Sequence, residues 1–227
     1  MQPSSFVIAV YEFVLLLFSL SVHECAHAWM ASRLGDQTAR MQGRVSLNPM
    51  VHADPIGTFV FPALMIFGPF FGLGMFGGML VGWAKPVPVI TRNFRKIVRD
   101  DSLVSMAGPF SNLLLALIAF FSLAGILFYE NHLPMGVSPA GSLGILGVIC
   151  EKAILVNLAL FFFNLLPIPP LDGSRVMRHM LPYNALNAYD RMGMFSLILM
   201  VLVGGWVVNL FVSPALSVVN RMLLPSM

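Results

Sequence analysis

The run His23-Glu24-Cys25-Ala26-His27 brings two imidazoles and a carboxylate together within five residues. On a helix, His23 and His27 are four apart, so both rings leave one face about one turn apart. That spacing suits two ligands on one zinc ion, with Glu24 beside them as a base for an attacking water. Cys25 leaves the helix in another direction and reads as a small packing residue. The surroundings make the motif more telling. It lies in an apolar run from Phe6 to Trp29. Lipid offers ionisable groups no compensating hydrogen bonds, so such groups mark function by default.

The elements that hold this motif belong to a membrane. Of the 227 residues, 58% are hydrophobic and 10% charged, with a mean hydropathy of +0.84. Soluble domains carry about 25% charged residues. The composition therefore predicts an all-α polytopic membrane protein, whose helices satisfy their own backbone groups. A net charge of +3 and a pI near 9.1 do not imply nucleic acid. The basic residues sit in short loops between apolar segments, where they set orientation and meet anionic head groups. Cys25 and Cys150 both lie in apolar segments, so no disulfide framework is expected. The first apolar run lacks a basic n-region and a small-residue cleavage site, and it is too long for a signal sequence. It reads as a retained transmembrane helix. With no internal repeat, residues 1–227 are expected to form one membrane-embedded domain, its core about 6–181 and its C-terminal helices about 192–224.

Three later runs, 103–129, 142–166 and 192–212, are long enough to span. The tail from Pro214 is expected to form a partial or surface helix. Residues 43–49 read as extended or turn-like. Residues 82–89 read as extended, because Pro86 and Pro88 forbid a helix. Between them, Pro55 to Val81 is apolar but interrupted by Pro62, Gly68, Pro69, Gly72, Gly74, Gly77 and Gly78. A single crossing here would put Arg33, Arg40 and Arg44 across the bilayer from Lys85, Arg92, Arg95, Lys96 and Arg99. A re-entrant hairpin, or two short helices, instead gathers every basic loop on one side, with Arg175, Arg178 and Arg191. Loop 130–141, without Lys or Arg, then lies on the other. The expected architecture is four to six transmembrane helices, a re-entrant hairpin and short extended segments near the site.

A hydrolytic zinc site takes three protein ligands and leaves one position for water. The candidate for the third is Asp172, in Asn164-Leu165-Leu166-Pro167-Ile168-Pro169-Pro170-Leu171-Asp172-Gly173. The prolines stop the preceding segment and Gly173 is expected to turn the chain. The alternative is an Asp capping a short helix that begins near Ser174.

The helical His-Glu-x-x-His, followed about 145 residues later by Asn-x-x-Pro-x-Pro-x-x-Asp-Gly, resembles the site-2 protease family of intramembrane zinc metallopeptidases. Ala107-Gly108-Pro109-Phe110-Ser111-Asn112 and the stretch Gly43 to Gly57 are similar to the same family. Gly82-Trp83-Ala84-Lys85-Pro86-Val87-Pro88-Val89 is similar to its compact bacterial members. The resemblance implies that His23, His27 and Asp172 bind one catalytic zinc per chain and that Glu24 is the general base. It implies an endopeptidase that cleaves transmembrane segments of other membrane proteins, in a bacterial inner membrane with the site toward the cytoplasm. The expected partners are such a substrate and the lipid bilayer. The ligands share a side only if Pro55–Val81 adds an even number of crossings, which agrees with the basic loops.

Three residues carry more open readings. Asn112 could donate to substrate or to the developing oxyanion, or make an interhelical hydrogen bond. Asn164 could position substrate, support the metal or terminate its helix. His52 could hydrogen-bond a ligand, or fix its loop with Asp54. His132 and His179 read as loop and surface residues. The rival function is an inactive zinc-binding scaffold for client helices. Five histidines are too few for a typical di-iron oxidase, and the third and fifth segments lack the interior carboxylates of a metal transporter.

Overall fold

The computed structural model describes residues 5–73, 84–131, 142–195, 203, 205–206 and 208–223, and no strand occurs among them. Three helices, α1 (Ser5–Leu34), α5 (Ile97–Asn131) and α6 (Ser142–Asn164), are long and apolar enough to cross a membrane. The protein is an all-α integral membrane protein. No Gly or Pro interrupts α1, and its apolar side chains run all round, as a lipid-embedded helix requires. It ends at Gly35, whose φ of 119° suits glycine alone.

Helix α5 packs against both α1 and α6. Small residues let the backbones approach: Ala28 and Ala31 on α1, Ala116 and Ala119 on α5 and Ala159 on α6 are all buried. The opposite side of α5 exposes Phe110, Leu114, Phe121 and Phe128, a face suited to lipid. One ion pair, Glu12 with Lys152, ties α1 to α6 inside their apolar stretches. Glu12 lies six residues into the apolar run, about 9 Å along the helix.

Two short helices, α2 (Thr38–Met41) and α3 (Pro49–His52), lead to the hairpin. Asp54 opens its inward leg, accepting hydrogen bonds from the Ile56 and Gly57 amides. The leg continues through a wide turn (Pro55–Val60) and α4 (Phe61–Phe67). Phe67 lies 5.6 Å from Phe6 and 5.7 Å from Phe13, so this leg reaches the N-terminal end of α1. Gly72, at φ 79°, turns the chain. Residues 74–83 lie outside the described set. By Lys85 the chain is back, its amide donating to the His52 carbonyl at 2.8 Å. The segment thus leaves and re-enters at one end of α1, as the basic loops required.

Asp36 holds the returning strap. Its carboxylate accepts from Ile90 N at 2.7 Å, Asn93 Nδ2 at 2.8 Å, and both the amide and hydroxyl of Thr38. Burial pushes its pKa up, but the hydrogen bonds from Thr38, Ile90 and Asn93 outweigh that and hold it below the ordinary carboxylate value. Residues 43–49 and 84–90 are largely irregular, save that α3 opens at Pro49, and they form no ladder.

Beyond α6 come α7 (Asp172–Met180), α8 (Tyr183–Met192) and α9 (Ser213–Leu223). With 11 residues α9 is about 16 Å long, too short to span. Its Leu216 and Val219 pack on Ala119, Leu123 and Ile154 of α5 and α6. Within the expected span 192–212, residues 196–202, 204 and 207 fall outside the described residues.

Candidate metal centre

His23 and His27 project from one face of α1, and both are buried. Asp172 is the first residue of α7. The capping alternative for Asp172 does not hold: the helix begins at Asp172 itself, after Leu171, and has no side-chain cap. Gly173 is also not a turn glycine, since its φ is ordinary. A Cβ there would meet the Leu165 carbonyl oxygen at 2.2 Å, so the missing side chain lets α7 start against the end of α6. That contact aims Asp172 back at α1.

The three side chains converge. Asp172 Oδ2 lies 3.0 Å from His23 Nε2 and 3.3 Å from His27 Nε2, and the two Nε2 atoms are 3.0 Å apart. A tetrahedral zinc with bonds of about 2.0–2.1 Å would set its ligand atoms about 3.3 Å apart. Proton placement decides whether these atoms want a cation. His23 Nδ1 donates to Asn112 Oδ1 at 2.6 Å, and His27 Nδ1 donates to the Val104 carbonyl at 2.7 Å. Each neutral ring therefore presents a bare lone pair at Nε2. Asp172 Oδ2 is buried and accepts no hydrogen bond. Three acceptors pointed at one another repel. A proton on one Nε2 would serve a single neighbour, whereas a divalent cation serves all three. The residues fit a metal.

Helix α5 shapes the pocket from behind. Val104, Gly108 and Asn112 recur every four residues and so form one stripe. A Cβ on Gly108 would lie 2.3 Å from His27 Nε2 and 2.6 Å from His23 Nε2, so only glycine leaves room for the rings. On the preceding turn, buried Asp101 pairs with Arg175 at 2.9 Å and with His179 at 2.8 Å. This clamp fastens α7 beside α5. His179 is thus half-buried, its Nε2 hydrogen-bonded to Asp101, and not the surface residue its sequence suggested.

Known proteins share this chain's pattern. The sequence profile of peptidase family M50 matches residues 138–204, the stretch containing Asp172. The Bacillus subtilis protein named "Putative zinc metalloprotease YwhC" is 41% identical over 76% of this chain and 69% of its own length. The chain belongs to peptidase family M50. It is a metalloprotease of the site-2 protease type. Two M50 relatives named "Putative zinc metalloprotease Rip2" match less closely. The Mycolicibacterium smegmatis protein is 31% identical over 76% of this chain and 58% of its own length. The Mycobacterium tuberculosis protein is 27% identical over 88% and 66%. No solved structure matches the chain.

Within the M50 fold the remaining expected residues separate. Glu24 is half-buried, beside His23 on α1. Asn112 is fully buried, its Oδ1 on His23 and its Nδ2 donating to Asn157 Oδ1 at 3.0 Å. Asn164 donates to the Leu160 carbonyl one turn back, at the end of α6. His52 donates from Nε2 to the Ser46 carbonyl at 2.8 Å, while Asp54 caps the hairpin instead of partnering it. Sequence reasoning missed Gly108, the Val104 carbonyl, Asn157 and Asp101. Gly108 and Asn157 left a signal, a glycine and an amide inside helices that lipid favours as apolar. A backbone acceptor leaves none.

Proposed function

We propose that this M50 protein is a zinc-dependent intramembrane endopeptidase acting on a transmembrane segment of another membrane protein. The observation that carries this reading is the convergence of His23 Nε2, His27 Nε2 and Asp172 Oδ2 within 3.3 Å, beside helices long and apolar enough to span. The names of the relatives support zinc as the ion. When bound, zinc supplies a Lewis acid that polarises the scissile carbonyl and acidifies water.

The chain's own residues perform the proton work and the positioning. Glu24 takes a proton from the attacking water on its carboxylate and returns it to the leaving amine nitrogen. Asn112 and Val104 hold the two rings with their bare nitrogens inward. Asn164, its Nδ2 committed to Leu160, offers its Oδ1 to a substrate N–H. A substrate helix hides its peptide groups and must unwind before attack. The irregular stretches 43–48 and 84–90 offer backbone groups for strand addition, and His52 links them by fixing Ser46 and accepting from Lys85. The basic loops share the ligands' side of the bilayer, which supports a cytoplasmic site.

The test is cleavage of a model transmembrane substrate by the purified chain in nanodiscs. Cleavage is expected with zinc, abolished by a chelator and restored by added zinc. A chain that holds zinc yet cuts no transmembrane substrate would overturn this reading in favour of a scaffold.

A further inference from the structure

Asn157 is an amide at 2% exposure in the middle of apolar α6, with no place in the M50 motifs above. Burying an amide in a spanning helix is costly unless every donor and acceptor is used. Its Nδ2 donates to the Ala153 carbonyl at 2.9 Å. Its Oδ1 accepts from Asn112 Nδ2 at 3.0 Å, and Asn112 Oδ1 accepts from His23 Nδ1 at 2.6 Å. These bonds have a direction. A backbone carbonyl can only accept, so Ala153 compels Asn157 to turn its NH2 toward it and its oxygen toward Asn112. That oxygen in turn compels Asn112 to offer its NH2, leaving only its own oxygen for His23. The Ser19 carbonyl, 3.5 Å from Asn112 Nδ2, adds a second acceptor on the same side and enforces the same orientation.

We infer that Asn157 is a positioning residue of the metal site, acting through Asn112 to fix the proton of His23 on Nδ1 and its lone pair on Nε2. Were either amide reversed, its NH2 would confront a donor, and His23 would lose the partner that selects its tautomer and holds its ring. The relay thus runs from the backbone of α6, through α5, to a ligand on α1. It rests on the reading of His23 as a metal ligand, and it extends that reading from the ligands to the helix packing that orients them.

The experiment uses the full chain in nanodiscs, with histidine 15N NMR on the metal-free protein and zinc affinity from chelator competition. Wild type and Asn157→Asp, which still accepts from Asn112, are expected to show His23 protonated at Nδ1 alone. Asn157→Leu removes the acceptor. It is expected to give mixed His23 tautomers and zinc binding weaker by about 10–100-fold. Asn157→Ala carries the same test should the leucine variant not fold. Adding Asn112→Asp to Asn157→Leu supplies a carboxylate that accepts from His23 whatever lies behind it, and is expected to restore both tautomer and affinity. A merely structural role for Asn157 would not be rescued in this way, and failure of that rescue would overturn the inference. So would an unchanged tautomer and affinity in Asn157→Leu. Absence of zinc binding in the wild type would instead strike the underlying site reading, while the metal-free tautomer would still judge the relay.

Discussion

Gly108 sets the size of the metal pocket. A methyl group on it would lie within 2.6 Å of both ligand nitrogens, in space that the rings already fill. Alanine is the better helix former by about 1 kcal/mol, so Gly108→Ala should leave α5 helical while pushing His23 and His27 apart. The expected outcome is unchanged circular dichroism with at least a tenfold loss of zinc affinity, and a variant that binds zinc normally would refute the close approach. At this scale the sequence was legible wherever chemistry depends on local spacing. His23 and His27 are four apart on one helix, and that alone announces a ligand pair. Gly108 and Asn157 act through neighbours distant in sequence, on other helices, and no local spacing encodes such an approach.

The elements are held by polar contacts at two depths. At the loop end of α1, Asp36 gathers four hydrogen bonds from Thr38, Ile90 and Asn93. Its folded pKa lies below the unfolded value of about 3.9, so its contribution is complete above that value and is lost as pH falls through the folded pKa. Protection of the Ile90 amide from hydrogen exchange, relative to its intrinsic rate, should therefore be complete above about pH 4 and fall as pH drops through the folded pKa. Asp36→Asn, with one acceptor oxygen instead of two, should lower that protection at neutral pH as well. Deeper in the bilayer, Glu12→Ala would strand the Lys152 cation among apolar side chains, at a cost of up to about 3 kcal/mol. Replacing both by leucine should recover most of that loss. Thermal unfolding of the single and double variants in nanodiscs checks the pair, and equal stabilities throughout would count against it. This contact was hidden because Glu12 and Lys152 are 140 residues apart in sequence.

For the whole molecule, the decisive feature is that the hairpin returns. Its inward leg meets Phe6 and its outward end meets His52, so the loops bearing Met41, Arg95 and Tyr183 share one side with the metal site. Single cysteines at those exposed positions, in a chain lacking Cys25 and Cys150, should all react with an impermeant thiol reagent from that one side. Labelling of position 95 from the side opposite to position 41 would refute the topology. Charge counting over the loops foresaw this arrangement, because orientation depends on composition rather than on contacts. The irregular strap was less legible, since prolines forbid a helix without saying what replaces it. On the proposed function, α1 and α7, whose ligands His27 and Asp172 stand 145 residues apart, meet on one zinc ion. X-ray absorption at the zinc edge of the loaded protein reads this ligand set. One zinc per chain is expected, with two imidazole nitrogens and carboxylate oxygen at about 2.0–2.2 Å. A sulfur neighbour at about 2.3 Å, or a single imidazole, would contradict it.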